Sequence, residues 1–344
     1  MAVDVTGTEF STGDAVPGAA DDAPPGLGPY RLAGRRLRRN RVALAFGGLF
    51  VAVVVLCLLA PVYADRVAHT GPTDNHITDQ VRVDGKPVNV VSTTGIPIGP
   101  TWQGRFFLGA DANGRDVAVR LLYGGRNSLE IAAIATLITM LLAIAIGTVA
   151  GYFRGWADAI LGRLLDLLWA FPVVLLGVAL GVALAVGGVS FGLFELRGNS
   201  LGVPAVIIGV VYVPYVAKPI RGQVLGLRER EFIDAARAQG LSSVRIIVGE
   251  LLPNLASTII VFVPLIVANA ILLEAGLSYL GAGVQDPSPS WGTMISDGIR
   301  LIPSAIHLTF VPGLMLVLAA LGINVFGDGV RDALDPRAKI RIEH

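Results

Sequence analysis

Residues 221–254, RGQVLGLREREFIDAARAQGLSSVRIIVGELLPN, form the largest polar interruption between two long apolar runs. Phe232, Ala235 and Ala236 fall at i, i+3 and i+4, which makes one apolar helical face of mostly small side chains. Gly240 stands where a left-handed residue would end that helix. Ser242 or Ser243 can cap the next one, and Pro253 marks the start of the following apolar run. The stretch reads as two short helices joined by a glycine turn. Such a pair is a rigid knob, and its alanines let another protein surface approach closely.

Outward from the knob, the chain divides into apolar runs. Crossing about 30 Å of hydrocarbon takes about 20 mostly apolar residues in a helix. Six runs qualify: Val42–Val62, Leu129–Tyr152, Leu164–Val186, Leu201–Ala217, Leu255–Leu273 and Ile306–Phe326. Pro204 and Pro214 interrupt the fourth, which a membrane helix tolerates when neighbours take up the freed carbonyls. Composition agrees. Hydrophobic residues make up 53% of the 344 and charged residues 15%, against about 25% charged in a soluble domain. The formal net charge of +1 creates no field that would gather nucleic acid. A single cysteine, Cys57, excludes a disulfide scaffold. The fold class expected is all-α integral membrane, with six transmembrane helices.

Residues 1–29 are rich in Gly, Ala, Pro, Asp and Thr and read as a disordered tail without the pattern of a signal peptide. Residues 30–41 carry Arg31, Arg35, Arg36, Arg38, Arg39 and Arg41, a basic segment expected on the cytoplasmic side. The rest divides into a first transmembrane helix at 42–63, an external segment at 64–128, a transmembrane core at 129–326 and a cytoplasmic C-terminal segment at 327–344. With six crossings, residues 221–254, which hold Arg221, Arg228, Arg230, Arg237 and Arg245, fall on the cytoplasmic side with both termini. The loops carrying Arg197 and Arg300 fall outside. Within the external segment, Val81-Arg82-Val83 and Val88-Asn89-Val90 alternate around Asp84-Gly85. This predicts a β-hairpin, with an irregular loop as the alternative.

Several motifs together carry a family resemblance. Asp234-Ala235-Ala236, Gly240 four residues on, and Leu252-Pro253 resemble the "EAA" loop of ABC importer permeases, with Asp234 in place of the usual Glu and Glu250 where many members have Ile. Leu108-Gly109-Ala110-Asp111 with Gly114-Arg115-Asp116, Arg120 to Gly124 and Arg126 to Leu129 are similar to the segment leading into the family's core. Further matches are Gly155-Trp156-Ala157-Asp158 with Phe171-Pro172, Glu274-Ala275 through Leu280-Gly281, Pro287 to Gly292, and Gly327-Asp328-Gly329 through Pro336-Arg337. The chain is thereby identified as resembling the dipeptide/oligopeptide (and nickel) permease branch, over most of residues 30–340. The arginine run before the first span suits the second, C-type permease.

The resemblance implies the six-helix architecture of type I importer permeases. It also implies an ATPase-coupling role for Phe232, Asp234, Ala235, Ala236, Gly240, Leu252 and Pro253. The implied partners are a second homologous permease, ATP-binding subunits or one fused two-domain ATPase, and an extracytoplasmic substrate-binding protein, assembled in a bacterial cytoplasmic membrane. Peptides are the implied cargo, with nickel complexes or another small solute such as haem as the alternative.

Other polar residues admit two readings each. Asp111, Arg115, Asp116 and Trp291 fit an external contact, or the first three a solvated turn. Asp166 and Ser278 fit the pathway or a subunit interface, while Arg163 and Asp166 at i, i+3 can also pair with each other. Glu274, costly at membrane depth, lines a route or caps a helix. His69, His76 and His307 have no metal-ligand spacing. The chain lacks a Walker A sequence, so no cofactor is expected on it, and ATP is expected to be used by partner subunits. Sparse intramembrane charge argues against an ion-coupled secondary transporter. The absence of clustered nucleophiles or ligands argues against a membrane enzyme.

Overall fold

The computed structural model describes residues 29–335 except 84, 188, 192, 193, 197 and 199. The expected disordered tail (save Pro29) and the last part of the C-terminal segment, including Pro336 and Arg337, lie outside the described residues. The described chain opens with α1 (Pro29–Arg39) and α2 (Arg41–Leu58). Between them Asn40 caps α2 by accepting from the Ala43 amide at 3.0 Å. A short α3 (Ala60–Tyr63) and one π-type turn carry the chain to His69. The expected hairpin is present: β1 (Gln80–Val83) pairs antiparallel with β2 (Lys86–Asn89), with Gln80 opposite Asn89 and Gly85 at positive φ.

Next comes α4 (Val117–Phe153), followed by α5 (Gly155–Ala170) and α6 (Val173–Gly187). A second hairpin, β3 (Val189–Phe191) and β4 (Phe194–Leu196), was not expected. After it come α7 (Gly202–Val211), α8 (Val213–Leu227), α9 (Glu231–Ala238) and α10 (Ser243–Ile246). A π-turn over Ile247–Leu251 joins α10 to α11 (Leu252–Tyr279). The described chain ends with α12 (Trp291–Ile299), α13 (Ile302–Ala305) and α14 (His307–Leu334). Among the described residues five helical stretches are long and apolar enough to cross a membrane, namely α2, α4, α7 with α8, α10 with α11, and α14, and a sixth crossing results if the bent pair α5–α6 counts as one.

The span limits differ from those read in the sequence, for identifiable reasons. Helix α4 begins at Val117 rather than Leu129, so 117–128 is helix rather than external loop. Its polar first turns, with Arg120, Asn127 and Ser128, are buried or bonded within the protein and so do not end the helix. The third crossing is not one straight helix from Leu164 to Val186, because α5 and α6 meet at 93°. Pro172 holds Phe171 extended at φ −92°, ψ 138°, since a residue before proline is excluded from the helical region. The last helix runs on to Leu334, so the segment at 327–344 starts as helix.

In the interior, α4 packs against α7, α8 and α11, and α14 packs against α2 and α11. One apolar cluster gathers Cys57, Leu121, Ile131, Ile207, Ile271 and Trp291. The other gathers Tyr152, Leu165, Val224, Ile233, Leu251 and Leu255. Leu137 and Leu141, one turn apart on α4, stay exposed, as a surface against lipid or another subunit requires. Trp291 is fully buried, and Gly125 of α4 makes room for it. A Cβ at Gly125 would stand 2.6 Å from the indole and collide with the Cys57 Sγ. Gly125→Val overpacks this seat and costs about 1–3 kcal/mol. The expected readout is a lower apparent melting temperature of the purified complex in detergent, and an unchanged one would contradict the packing described.

Candidate functional site

Two polar constructions stand at opposite ends of α4, about 48 Å apart from Arg120 to Tyr152 at 1.5 Å per residue. At the C-terminal end is the knob. Arg237 to Leu241 close α9 in a Schellman arrangement. The Leu241 amide donates to the Ala236 carbonyl at 3.2 Å, and the Gly240 amide donates to the Arg237 carbonyl at 2.9 Å. This places Gly240 at φ +77°, a conformation glycine adopts without the Cβ penalty. Of the two serines, Ser242 is the cap, accepting from the Arg245 amide at 3.4 Å.

The second helix of the pair is not separate. It runs without a break through the π-turn into α11, whose first turn holds Pro253. The Asn254 amide side chain donates to the Glu250 carbonyl one turn back at 2.7 Å.

The faces of the knob also differ from the expectation. Ile233 and Ala236 turn inward and are buried with Ile246 and Leu251, whereas Phe232 and Ala235 stay outside. The helix period explains this: Ile233 and Ala236 are i, i+3, and Phe232 and Ala235 are the neighbouring pair one residue earlier. The outer surface therefore carries Phe232 at 37% exposure, Val244 at 70% and Val248 at 59%. Asp234 is exposed and pairs with Arg237 at 3.0 Å. Of the remaining expected residues here, Leu252 is half-buried and Pro253 exposed.

The knob is fastened to the bundle. The Arg228 Nη1 donates to the Tyr152 carbonyl at 2.6 Å, and the Arg237 guanidinium lies over the Tyr152 ring. Arg154 pairs with Glu229 at 2.8 Å, and Arg221 bonds Asp158 through Nη2 at 2.7 Å. These contacts tie the knob to α4 and α5, and α8 runs directly into it.

Farther along α5, Asp166 does not pair with Arg163. Lys218 of α8 reaches it at 2.7 Å, with its ammonium over the Trp169 ring at 4.4 Å. A cation from a neighbouring helix wins over the i, i+3 partner because Trp169, stacked on Tyr215, also holds it.

At the other end of α4, the expected contact residues are buried. Asp111 is 7%, Arg115 4% and Asp116 0% exposed, so the turn is not solvated. Asp116 caps α4, accepting from the Ala118 and Val119 amides, and also accepts from the Phe106 amide at 2.6 Å. Burial pushes its carboxyl above the usual carboxylate range, against the pull of these amides. Arg115 spans three carboxylates: Asp111 at 2.6 Å, Asp286 at 3.0 Å and Asp297 at 3.4 Å. Arg120 lies at 3.3 Å from Asp111 and donates to the Pro72 carbonyl at 3.1 Å. Burial likewise raises the Asp297 carboxyl, against the pull of Arg120 and Arg115. The sequence reading did not bring Arg120, Asp286 and Asp297 together.

Trp291 does not reach outward. Its indole N–H donates to the Leu121 carbonyl at 3.2 Å, and its amide donates to Ser128 Oγ at 3.3 Å. A signal for this was present: Ser290 and Thr293 form a reciprocal capping box that starts α12 at Trp291. Beside it, Glu274 is fully buried. Ser278 donates to its Oε1 at 2.6 Å, and the Ser128 and Ser290 hydroxyls lie against the same carboxyl. Glu274 therefore neither caps a helix nor is open to a route here. Its one hydrogen bond comes from its own helix, its Oε2 accepts none among the described residues, and the hydroxyls beside it come from α4 and from the cap of α12.

Comparison with known proteins adds the following. The family described as "Binding-protein-dependent transport system inner membrane component" matches residues 143–340. That described as "N-terminal TM domain of oligopeptide transport permease C" matches residues 28–80. The dipeptide transport system permease protein DppC of Alkalihalophilus pseudofirmus is 34% identical over 320 residues, covering 93% of each chain. The glutathione transport system permease protein GsiD of Pectobacterium atrosepticum is 32% identical, covering 90% of this chain and 92% of that one. Among solved structures, the inward-facing MetNI methionine ABC transporter is similar in fold, with a TM-score of 0.50 at 17% identity. The match covers 62% of this chain and 96% of the MetNI chain.

Proposed function

The chain belongs to the family of binding-protein-dependent transport system inner membrane components, and from that premise we propose that it forms half of the pathway of an ATP-driven importer of peptides. The relatives named for dipeptide and glutathione transport support peptides as the cargo. In this reading the chain is not catalytic. It binds no nucleotide or cofactor, and separate ATP-binding subunits, or one fused pair, hydrolyse ATP. A second homologous permease supplies the other half of the pathway, and an extracytoplasmic binding protein delivers the solute. The membrane is the bacterial cytoplasmic one, with residues 30–41, the knob and the C-terminal segment on the inner side. Seven cationic residues stand at the knob end: Arg154, Lys218, Arg221, Arg228, Arg230, Arg237 and Arg245. That is the bias expected of a cytoplasmic face.

The observation that carries this reading is the knob itself. It has a closed helix end, an apolar outer surface at Phe232, Val244 and Val248, and fastenings to α4 through Arg228 and Arg237 and to α5 through Arg221. An ATPase that grips this surface and changes shape with its nucleotide would move α4, α5 and α8 together. Coupling requires each permease state to prefer a different nucleotide state.

The test measures uptake of labelled di- and oligopeptides by cells with and without the subunit, alongside labelling of a cysteine at Gly240 by a membrane-impermeant thiol reagent. Uptake should depend on the subunit, and Gly240→Cys should react only in inverted vesicles. Reaction in intact cells would place the knob beyond any ATPase and end the proposal.

A further inference from the structure

Beside the buried charges at the N-terminal end of α4 is a cavity of about 600 Å³. That volume lies within the range of small-ligand sites, about 300–1,000 Å³. Its walls are mixed: apolar at Met294, Leu301 and Leu308, with Arg120 and Arg300 among its cations and Asp297 among its acids. Arg120 decides what it can hold. The residue is 1% exposed, and its Nη2 has no hydrogen-bond acceptor. An Asp297 carboxylate oxygen stands 3.7 Å away, close enough for an ion pair but outside hydrogen-bonding distance.

A buried guanidinium donor without an acceptor is costly, and a carboxylate is the group that satisfies it best. Arg115, by contrast, is occupied by Asp111, Asp286 and Asp297. The carboxylate of Asp297 sits half exposed at the rim, available to a cation.

Resting on the importer reading above, we propose that this cavity is a subsite for a short peptide with a free C-terminus. The peptide carboxylate lies on Arg120 Nη2, with Arg300 beside it. A terminal apolar side chain lies against Met294, Leu301 and Leu308, and the ammonium end faces Asp297. In the orientation proposed, the cavity opens on the outer side, where solute leaves the binding protein. It would hold the peptide during transfer and favour free acids over capped chains.

The test uses the complete membrane complex in nanodiscs, purified without the binding protein so that the latter's own peptide site does not contribute. The probes are labelled alanyl-leucine and its C-terminal amide. The wild-type complex should bind the acid on the order of tenfold more tightly than the amide, the loss expected for one charge-assisted bond. In Arg120→Gln that ratio should fall to about one. Ala112→Trp on the exposed rim, which leaves the charge network in place, should block both probes and guards against an Arg120 variant that fails to assemble.

An acid-to-amide ratio unchanged by Arg120→Gln, or full binding in Ala112→Trp, overturns the subsite. So does an Arg120→Gln complex whose only defect is weaker docking of the binding protein, since the cavity would then hold a protein anchor. A wild-type complex with no ATP-driven peptide uptake overturns the importer reading instead. Uptake without binding here overturns the subsite alone.

Discussion

Phe232→Asp is expected to reduce ATP-driven uptake at least about 20-fold while the permease remains folded in the membrane. An aromatic anchor at the centre of a protein interface is worth about 2–4 kcal/mol when truncated, which corresponds to roughly 30- to 1,000-fold in affinity. A carboxylate placed there adds a desolvation cost. Phe232 is the residue to change because it faces out, whereas the inward packing of α9 rests on Ile233 and Ala236. The chain's own apparent melting temperature should therefore move by less than about 1 °C, since surface changes away from packing and caps are usually small. Ile233→Asp provides the contrast, because it buries a charge in the knob's own core and should unfold the knob. Measured by co-purification of the ATPase and by peptide uptake in parallel, Phe232→Asp should lose both. If it keeps its ATPase and full uptake, the surface described is not the coupling surface.

How much of this could be read from the sequence depended on whether the cause was local. The knob was legible because its punctuation is local: Gly240 ends one helix by its own φ and Ser242 caps the next. The face it offers to a partner was misread at Ala236, because Ala235 and Ala236 are alike to a pattern of apolar spacing. Only Ile233, one turn before Ala236, tells which of them is buried. The hairpin at residues 80–89 was legible for the same local reason.

The limits of α4 were not. Arg120 and Ser128 look like the end of a span, yet their partners come from far along the chain. Arg115 meets Asp286 and Asp297 across 171 and 182 positions. Spacing within one segment carries no information about such pairs. Asp166 shows the same limit on a smaller scale, since its partner Lys218 sits on another helix. Trp291 was placed outside because Pro287 to Gly292 fall in the loop before the last apolar run. The capping box of Ser290 and Thr293 was the overlooked sign that a helix starts there.

Glu274→Leu is expected to cost about 1–3 kcal/mol and to lower the share of monodisperse complex that survives mild heating. The argument rests on what the carboxyl holds. Ser278 Oγ donates to Glu274 and accepts from the Val284 amide at 2.9 Å. Ser128 Oγ accepts from the Trp291 amide and Ser290 Oγ from the Thr293 amide. A hydroxyl has one proton and two lone pairs, so Ser278 holds the Val284 amide while its proton goes to Glu274 Oε1; the Ser128 and Ser290 hydroxyls lie beside the carboxyl, whose Oε2 accepts no bond among the described residues. Leucine would leave the buried Ser278 hydroxyl without its acceptor, at about 1–3 kcal/mol before relaxation. Glu274→Gln keeps the shape and one carbonyl acceptor, and should cost less than about 1 kcal/mol. The one bond made to this carboxyl among the described residues comes from a hydroxyl, so the seat selects a hydrogen-bonding head rather than a charge. The measurement is size-exclusion recovery and apparent melting temperature of wild type, Gln and Leu forms side by side. If the Leu form matches wild type, or the Gln form falls as far as Leu, the clasp around Glu274 is not what holds α12 to the bundle.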